Sequence, residues 1–124
     1  MIHDCARPLV SQKIISDCVC ALKRYDAVAV ALDVVDTIVC AENNIITNTL
    51  NRSSLKRMQT PQCFKLSLIK KAHKLSENDE CFTDDCGLIL KHKFADIFIV
   101  QGSDENLKIT YPFDYYVLEK ILSN

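Results

Sequence analysis

The sequence predicts an α/β fold in which helices cover both faces of a sheet, giving three layers. Residues 27–32 form a short apolar run with β-branched Val28 and Val30, which is typical of a strand buried on both faces. Residues 95–100 form a second run of this kind, and helical patterns flank both runs. The chain has 124 residues. This length predicts a single domain over residues 1–124.

The first half of the chain contains a helix, a strand and a hairpin. Ser11 can cap a helix over residues 12–24, in which apolar residues recur at helical spacing. After the strand at 27–32, residues 36–40 and 45–50 are extended and flank Glu42-Asn43-Asn44. Two strands around an Asn-rich turn predict a β-hairpin. Because a two-stranded unit is marginal alone, we expect it to pack on another surface.

The second half alternates helices with extended segments. A polar, basic stretch at 51–57 ends at Thr60-Pro61-Gln62, since the residue before proline avoids the helical region. Apolar spacing predicts a helix over about 65–75, and Thr83-Asp84-Asp85 is typical of the start of another. Residues 95–100 and 107–110 are predicted to be extended. Pro112 suits the first position of a last helix, which reaches Leu122.

Composition and charge exclude several classes of function. Lys and Arg number 15 against 16 Asp and Glu, so no basic excess predicts nucleic-acid binding. No apolar run reaches the ~18 residues of a membrane span, and residues 1–5 are unlike a signal peptide. We therefore expect a cytoplasmic protein with no membrane or nucleic-acid partner. The two glycines, Gly87 and Gly102, stand too far apart to form a glycine-rich phosphate loop.

The seven cysteines are predicted to be reduced and to pack as small apolar side chains. Their number is odd and most lie in apolar surroundings, unlike a disulfide framework. The alternative is a zinc site. Its ligands would be His73, Cys81, Cys86 and His92, whose spacing matches no common zinc pattern.

Two groups of charged residues could bind an anion. Asp4 and Arg7 stand three apart, where the first residues look like the end of a strand, and ligands of open α/β sheets bind at such ends. His3 beside them could act as an acid or base, or simply form structural hydrogen bonds. Spacing alone favours a local surface ion pair of Asp4 and Arg7 over a ligand site.

The second group of charged residues follows the predicted hairpin, and Lys108 stands alone later in the chain. Arg52, Lys56, Arg57 and Thr60 lie near the proline turn, and the guanidinium fork suits phosphate oxygens. Lys108 stands between two apolar residues and could direct one charge into a cleft. The alternative is that the cluster lies on a solvated surface and that Lys108 occupies the solvent-facing position of a strand. The residues by themselves thus indicate an α/β domain that could bind an anion and leave its function open.

A series of short motifs gives a more specific indication, because they occur together and in order. The motifs are His3-Asp4-Cys5-Ala6-Arg7-Pro8, Asp36-Thr37-Ile38, Asn51-Arg52-Ser53, Gln59-Thr60-Pro61-Gln62, Phe82-Thr83-Asp84-Asp85 and Glu105-Asn106-Leu107-Lys108-Ile109-Thr110. The series resembles the C-terminal half of the 2-C-methyl-D-erythritol 4-phosphate cytidylyltransferase family, and the resemblance covers essentially all 124 residues. The related ribitol 5-phosphate cytidylyltransferases share much of it.

The resemblance implies a Rossmann-like fold of nucleotidyltransferase type with a protruding hairpin arm, here about 38–56, that pairs with a second subunit. It implies that CTP and 2-C-methyl-D-erythritol 4-phosphate form 4-diphosphocytidyl-2-C-methyl-D-erythritol and pyrophosphate. Mg²⁺ would accompany the nucleotide phosphates, with no metal ligands expected in this chain. The substrate phosphate would attack in line, so catalysis would depend on positioning and charge stabilisation.

The motif match also implies roles for individual residues. Lys108 and Asp4 would be catalytic, with Asp4 between nucleotide and substrate. Arg52 would reach across the dimer. The expected substrate-binding residues are Arg7, Thr37, Arg52, Thr60 and Thr83.

The family begins with a strand and a glycine-rich loop carrying an Arg and then a Lys, which bind the CTP phosphates. These 124 residues contain no such segment, so the fold is expected to be truncated at its N-terminus. We expect a substrate-binding half that is inactive alone. Two alternatives stay open: a ribitol 5-phosphate enzyme, or a noncatalytic remnant that dimerises.

Overall fold

The computed structural model describes residues 1–76 and 83–123. In these ranges the chain forms four α-helices, five strands and one 3-10 turn at Arg52–Ser54. In chain order they are α1 (Gln12–Ala21), β1 (Ala27–Asp33), β2 (Val39–Glu42), β3 (Ile45–Thr49), β4 (Lys56–Phe64), α2 (Leu66–Leu75), α3 (Asp85–Lys91), β5 (Ile97–Gln101) and α4 (Pro112–Leu122).

A three-stranded sheet of order β4-β1-β5 forms the centre of the domain. Strand β1 pairs antiparallel with β4 and parallel with β5. Every residue of β1 except Asp33 is buried. The predicted strand at 27–32 is therefore confirmed as one buried on both faces, although only one of its neighbours is parallel. Strand β5 begins at Ile97, two residues later than predicted.

Strand β4 is an element that the sequence did not predict. The basic stretch does not end at the proline turn, because a strand begins at Lys56 and continues through Pro61 to Phe64. The register jumps from Ala29 opposite Gln62 to Val30 opposite Gln59, which leaves Thr60 and Pro61 in a bulge. A bulged residue stands outside the ladder of hydrogen bonds, so the missing N–H of proline is tolerated there. The Thr60–Pro61 peptide bond is cis.

Helices cover both faces of the sheet, which confirms the three layers. On one face, α1 contributes Ile14 and Cys18 to a core with buried residues of all three strands. On the other face, α2 and α3 contribute Ile69 and Ile89. Ser11 Oγ accepts a hydrogen bond from Ile14 N, so the predicted cap of α1 is confirmed. Helix α1 ends at Ala21, before the predicted residue 24.

Strands β2 and β3 form a separate two-stranded antiparallel sheet, which we call the arm. The predicted hairpin is confirmed, but β2 begins at Val39 and includes Glu42, so that Asn43 and Asn44 alone make the turn. Both have positive φ, 49° and 64°, a region that asparagine tolerates better than most residues. Every residue of the two strands is exposed, so this chain provides the arm with no buried face.

The last helix, α4, begins at Pro112 as predicted. Asp114 Oδ2 accepts hydrogen bonds from the backbone N–H groups of Tyr111 and Thr110, each at 2.8 Å. These bonds lower the pKa of the Asp114 carboxyl. No residue of α4 is buried, and Phe113 and Tyr116 are among its exposed aromatic side chains. Val117, Leu118 and Ile121 are half-buried, so the unburied apolar surface of the helix lies mainly at its exposed aromatic side chains.

Two further predictions have mixed outcomes. Residues 107–110 form no strand, although Ile109 N donates a hydrogen bond to Ala6 O at 2.8 Å. All six cysteines within the described ranges are free thiols, as expected, and Cys18, Cys63 and Cys86 are buried. The predicted packing is wrong for Cys5, Cys20 and Cys40, which are exposed. Burial raises the pKa of the Cys86 thiol to about 12, with Asp84 and Asp85 adding to the shift. Within the same ranges, no helix is long and apolar enough to cross a membrane.

Candidate functional site

A polar cavity of about 330 Å³ lies where four segments meet. These are the first residues of the chain, the bulge of β4, the start of α3 and the segment after β5. The bulge of β4 places Thr60 at the cavity, and Asp84 lies at the cavity because it is the N-cap of α3. The cavity is lined by Ile2, Asp4, Arg7, Met58, Gln59, Thr60, Gln62, Thr83, Asp84, Asp85 and Lys108.

The charges of the cavity centre on Asp4. Its Oδ2 atom lies 3.0 Å from Lys108 Nζ and 3.6 Å from Arg7 Nε. The Arg7 side chain is only 11% exposed, and burial lowers its pKa, against the opposing effect of Asp4. The Lys108 side chain is half exposed. An anionic ligand could therefore approach Lys108 from solvent while Asp4 holds both cations in place.

Two further carboxylates line the cavity, but each is engaged in a structural contact. Asp84 Oδ1 accepts from Gly87 N at 2.9 Å and so caps α3. Asp85 Oδ1 lies 2.7 Å from His73 Nε2. Gln62, which is buried, donates its Nε2 to Asp84 Oδ2 at 2.8 Å and accepts from Cys86 N. Gln62 thus joins β4 to α3, a role that the sequence analysis did not assign.

A chain of hydrogen bonds fixes the first residues of the chain against β4. Asp4 N donates to Thr60 Oγ1 at 3.0 Å, and Thr60 Oγ1 lies 2.9 Å from His3 Nδ1. The other ring nitrogen of His3 lies 3.0 Å from Arg7 O. Because a carbonyl only accepts, Nε2 of His3 carries the proton and Nδ1 accepts from Thr60. His3 therefore has the structural hydrogen-bonding role.

Five of the seven predicted site residues lie together around the cavity: Asp4, Arg7, Thr60, Thr83 and Lys108. Thr37 and Arg52 do not line it. Both are exposed and lie beside the arm, where Arg52 Nη1 donates to Val35 O at 2.6 Å. Their expected roles would require the arm of another copy to approach this cavity.

The zinc alternative receives no support from side-chain positions. His73 bonds Asp85, and His92 Nε2 lies 2.8 Å from Ser76 Oγ. Cys81, also in the proposed set, lies outside the described residues. In residues 1–76 and 83–123, no group of three or more His, Cys, Asp or Glu side chains is placed to hold a metal ion.

The domain is similar to solved nucleotidyltransferase structures. The 2-C-methyl-D-erythritol 4-phosphate cytidylyltransferase from Thermus thermophilus matches with a TM-score of 0.87 and 28% identity, over 98% of this chain and 60% of that one. The 4-diphosphocytidyl-2C-methyl-D-erythritol synthase from Anaerococcus prevotii matches with a TM-score of 0.88 and 28% identity, over 98% and 57%. The fold and the polar cavity thus define an α/β domain of nucleotidyltransferase type.

Sequence comparisons identify the family. The pattern of the 2-C-methyl-D-erythritol 4-phosphate cytidylyltransferase family matches residues 1–124, and the chain belongs to this family. The enzyme of that name from Bacillus anthracis is 39% identical over 98% of this chain and 54% of its own length. A bifunctional ribulose 5-phosphate reductase/CDP-ribitol pyrophosphorylase from Haemophilus influenzae is 38% identical over 100% of this chain and 27% of its own length. The chain spans about half the length of the curated family members it matches.

Proposed function

We propose that this chain is the part of a cytidylyltransferase that binds 2-C-methyl-D-erythritol 4-phosphate. The complete activity would join this phosphate to CTP, with release of pyrophosphate. The observation that carries the proposal is the meeting of Asp4, Arg7, Thr60, Thr83 and Lys108 at one cavity, in a chain of this family. Two cations and the Thr83 hydroxyl suit a phosphate monoester, because each can donate to its oxygens. The Thr60 hydroxyl donates to His3 Nδ1 and accepts from Asp4 N, so in this arrangement it holds Asp4 at the cavity.

Lys108 and Asp4 would then stand at the reacting phosphates. Lys108 would stabilise charge that develops on phosphate oxygens, and Asp4 would keep Lys108 and Arg7 oriented before the ligand arrives. CTP would enter as its Mg²⁺ complex, in which the nucleotide phosphates hold the ion. The ion would neutralise charge on those phosphates during the transfer.

We further propose that the remaining part of the family fold covers the exposed apolar side chains of α4. Phe113 and Tyr116 are 72% and 67% exposed, whereas the curated family members are nearly twice as long as this chain. The CTP-binding groups would come from that part. The 124 residues alone would accordingly bind the sugar phosphate without turning over CTP. We also propose a cytoplasmic location, because thiols stay reduced in the cytoplasm.

We also propose that the arm, about 38–56, pairs with a second copy of the chain. The fully exposed strands of the arm support this, because a hairpin with no buried face is marginal alone. The dimer would bring Arg52 and Thr37 of one copy to the cavity of the other. The same surface would serve a noncatalytic dimer if the activity were lost.

Calorimetric titration with 2-C-methyl-D-erythritol 4-phosphate and with ribitol 5-phosphate tests the proposal. We expect Lys108→Ala to weaken binding of the first ligand by at least about tenfold, since it removes a charge-assisted contact. Lys13→Ala, which removes an exposed lysine of α1, is the control. Tighter binding of ribitol 5-phosphate would select the alternative substrate. Binding of neither ligand, or CTP turnover by the chain alone, would contradict the proposal as stated.

A further inference from the structure

A buried polar network joins β4 to the segment that carries Lys108. Asn106 has no exposed surface, and its Nδ2 atom donates to Thr60 O at 2.8 Å and to Gln59 Oε1 at 3.3 Å. Its backbone carbonyl accepts from Arg7 Nη1 at 2.7 Å and from Gln59 Nε2 at 3.2 Å. One residue therefore contacts Arg7, Thr60 and Gln59, which come from two distant parts of the chain.

The backbone after β5 leaves space for this network because residue 102 is a glycine. Gln59 Nε2 also donates to Ser103 O at 2.9 Å, and Gly102 N donates to Ala31 O. A Cβ atom on Gly102 would lie 2.4 Å from Gln59 Oε1 and 3.1 Å from Val30 Cγ1. Glycine at this position thus lets the buried amide of Gln59 pass between β1 and the segment 102–109.

The buried amide of Asn106 makes hydrogen bonds through its nitrogen only. Its Oδ1 atom is buried and has no hydrogen-bond partner among the described residues, and such an atom lowers the stability of a fold. Its Nδ2 atom bonds Thr60 O and Gln59 Oε1, and these two bonds anchor the backbone of residue 106. The carbonyl of that anchored backbone accepts from Arg7 Nη1, and Lys108 follows two residues later.

We propose that Asn106, supported by Gln59, is a positioning residue that sets Arg7 and Lys108 for an anionic ligand in the cavity. Because Arg7 Nη1 donates a hydrogen bond to Asn106 O, the network determines that the Nε edge of the guanidinium faces Asp4. Lys108 Nζ lies 3.0 Å from the same carboxylate. The identity of the anion as a sugar phosphate rests on the proposed function, whereas the positioning itself does not.

A double-mutant cycle in ligand affinity tests this role. The variants are Asn106→Ala, Lys108→Ala and the double variant, titrated with 2-C-methyl-D-erythritol 4-phosphate. We expect Asn106→Ala to weaken binding about tenfold. The double variant should lose clearly less affinity than the two single losses combined, because Asn106 acts in part through Lys108. Gln12→Ala, which removes an exposed amide of α1, should bind as the wild type does. Additive losses, or an unchanged affinity of Asn106→Ala, would overturn the proposal.

Hydrogen exchange in the ligand-free chain gives a second readout that does not depend on any substrate. We expect Asn106→Ala to speed exchange of the Ile109 N–H, which bonds Ala6 O, at least about tenfold relative to the amides of β1. Equal acceleration at every amide would show a purely structural role and overturn the proposal. Where Asn106→Ala does not fold, Gln59→Ala replaces it with the same expected pattern. If the wild type binds no sugar phosphate, the proposed function fails, while the exchange result still decides the positioning role.

Discussion

The segment 102–109 and the region of the arm each carry a cation that the family resemblance assigns to the substrate, but only the segment is held by buried contacts. Asn106 in the segment is fully buried and bonded to Arg7, Thr60 and Gln59. The arm exposes every residue of its two strands, and Arg52, which follows them, is an exposed side chain that bonds Val35 O. A buried network thus lies next to Lys108 at the cavity, whereas Arg52 lies at an exposed place away from the cavity.

The buried core of the domain, here represented by α3, and the exposed arm should differ most in thiol reactivity. Cys86 under the cavity is buried and its pKa is raised to about 12, whereas Cys40 of the arm is exposed. Since the thiolate is the reactive form, we expect Cys40 to react on the order of 10³ times faster at pH 8. Labelling with iodoacetamide followed by peptide mass spectrometry measures both rates. Similar labelling rates of Cys86 and Cys40 in native buffer would contradict this prediction. Labelling in urea, where the chain is unfolded, is the control.

The second expected difference concerns stability. Ile89 of α3 has no exposed surface and Ile46 of the arm is 65% exposed. Replacing Ile89 with alanine should lower the free energy of unfolding by about 2–5 kcal/mol, because it leaves a cavity in the core. Ile46→Ala should change it by less than about 0.5 kcal/mol in the monomer. Urea denaturation at low protein concentration measures both. A loss at Ile46 as large as the loss at Ile89 would show that the arm is already packed within one chain.

The smallest expected effect concerns association through the arm. Proline at Ile46 removes a backbone N–H and disfavours strand pairing, so we expect Ile46→Pro to raise the dimer dissociation constant at least about tenfold. Ile46→Val, which keeps the strand, is the matched control. Light scattering over a concentration series measures the constant. A wild-type chain that stays monomeric throughout the series would contradict the proposed dimer.

Local patterns were sufficient for the elements whose signals are local. The cap at Ser11, the apolar run at 27–32 and the Asn-rich turn all depend on residues close together in sequence, and the structure confirms each of them. The predicted end of the polar stretch at Pro61 was wrong because it also used a local signal. The effect of Pro61 on the preceding residue indicated an end, whereas the bulge opposite β1 lets strand β4 continue. That bulge depends on a partner strand much earlier in the chain, which no local pattern reveals.

The site was predictable only in part. The family resemblance pointed to Asp4, Arg7, Thr60, Thr83 and Lys108, and these do line one cavity. Gln59 and Asn106 occurred in the quoted motifs but received no role. Their amides matter through contacts between residues 47 positions apart. The close approach of the Gln59 side chain to Gly102 was equally invisible, since it requires knowing that β4 and β5 flank the same strand, β1.

The pattern of residues was enough to predict the α/β class, the buried central strand and the hairpin, and its shortage of glycine excludes a glycine-rich phosphate loop within these residues. These predictions follow from hydrophobic period, turn chemistry and composition, which need no knowledge of distant partners. The packed structure was needed to find that β4 continues through Pro61, that Asn106 bonds Arg7 beside the cavity, and that α4 and the arm have exposed apolar side chains. Each of these depends on which distant segments share space, because burial and hydrogen bonding are properties of the packed chain.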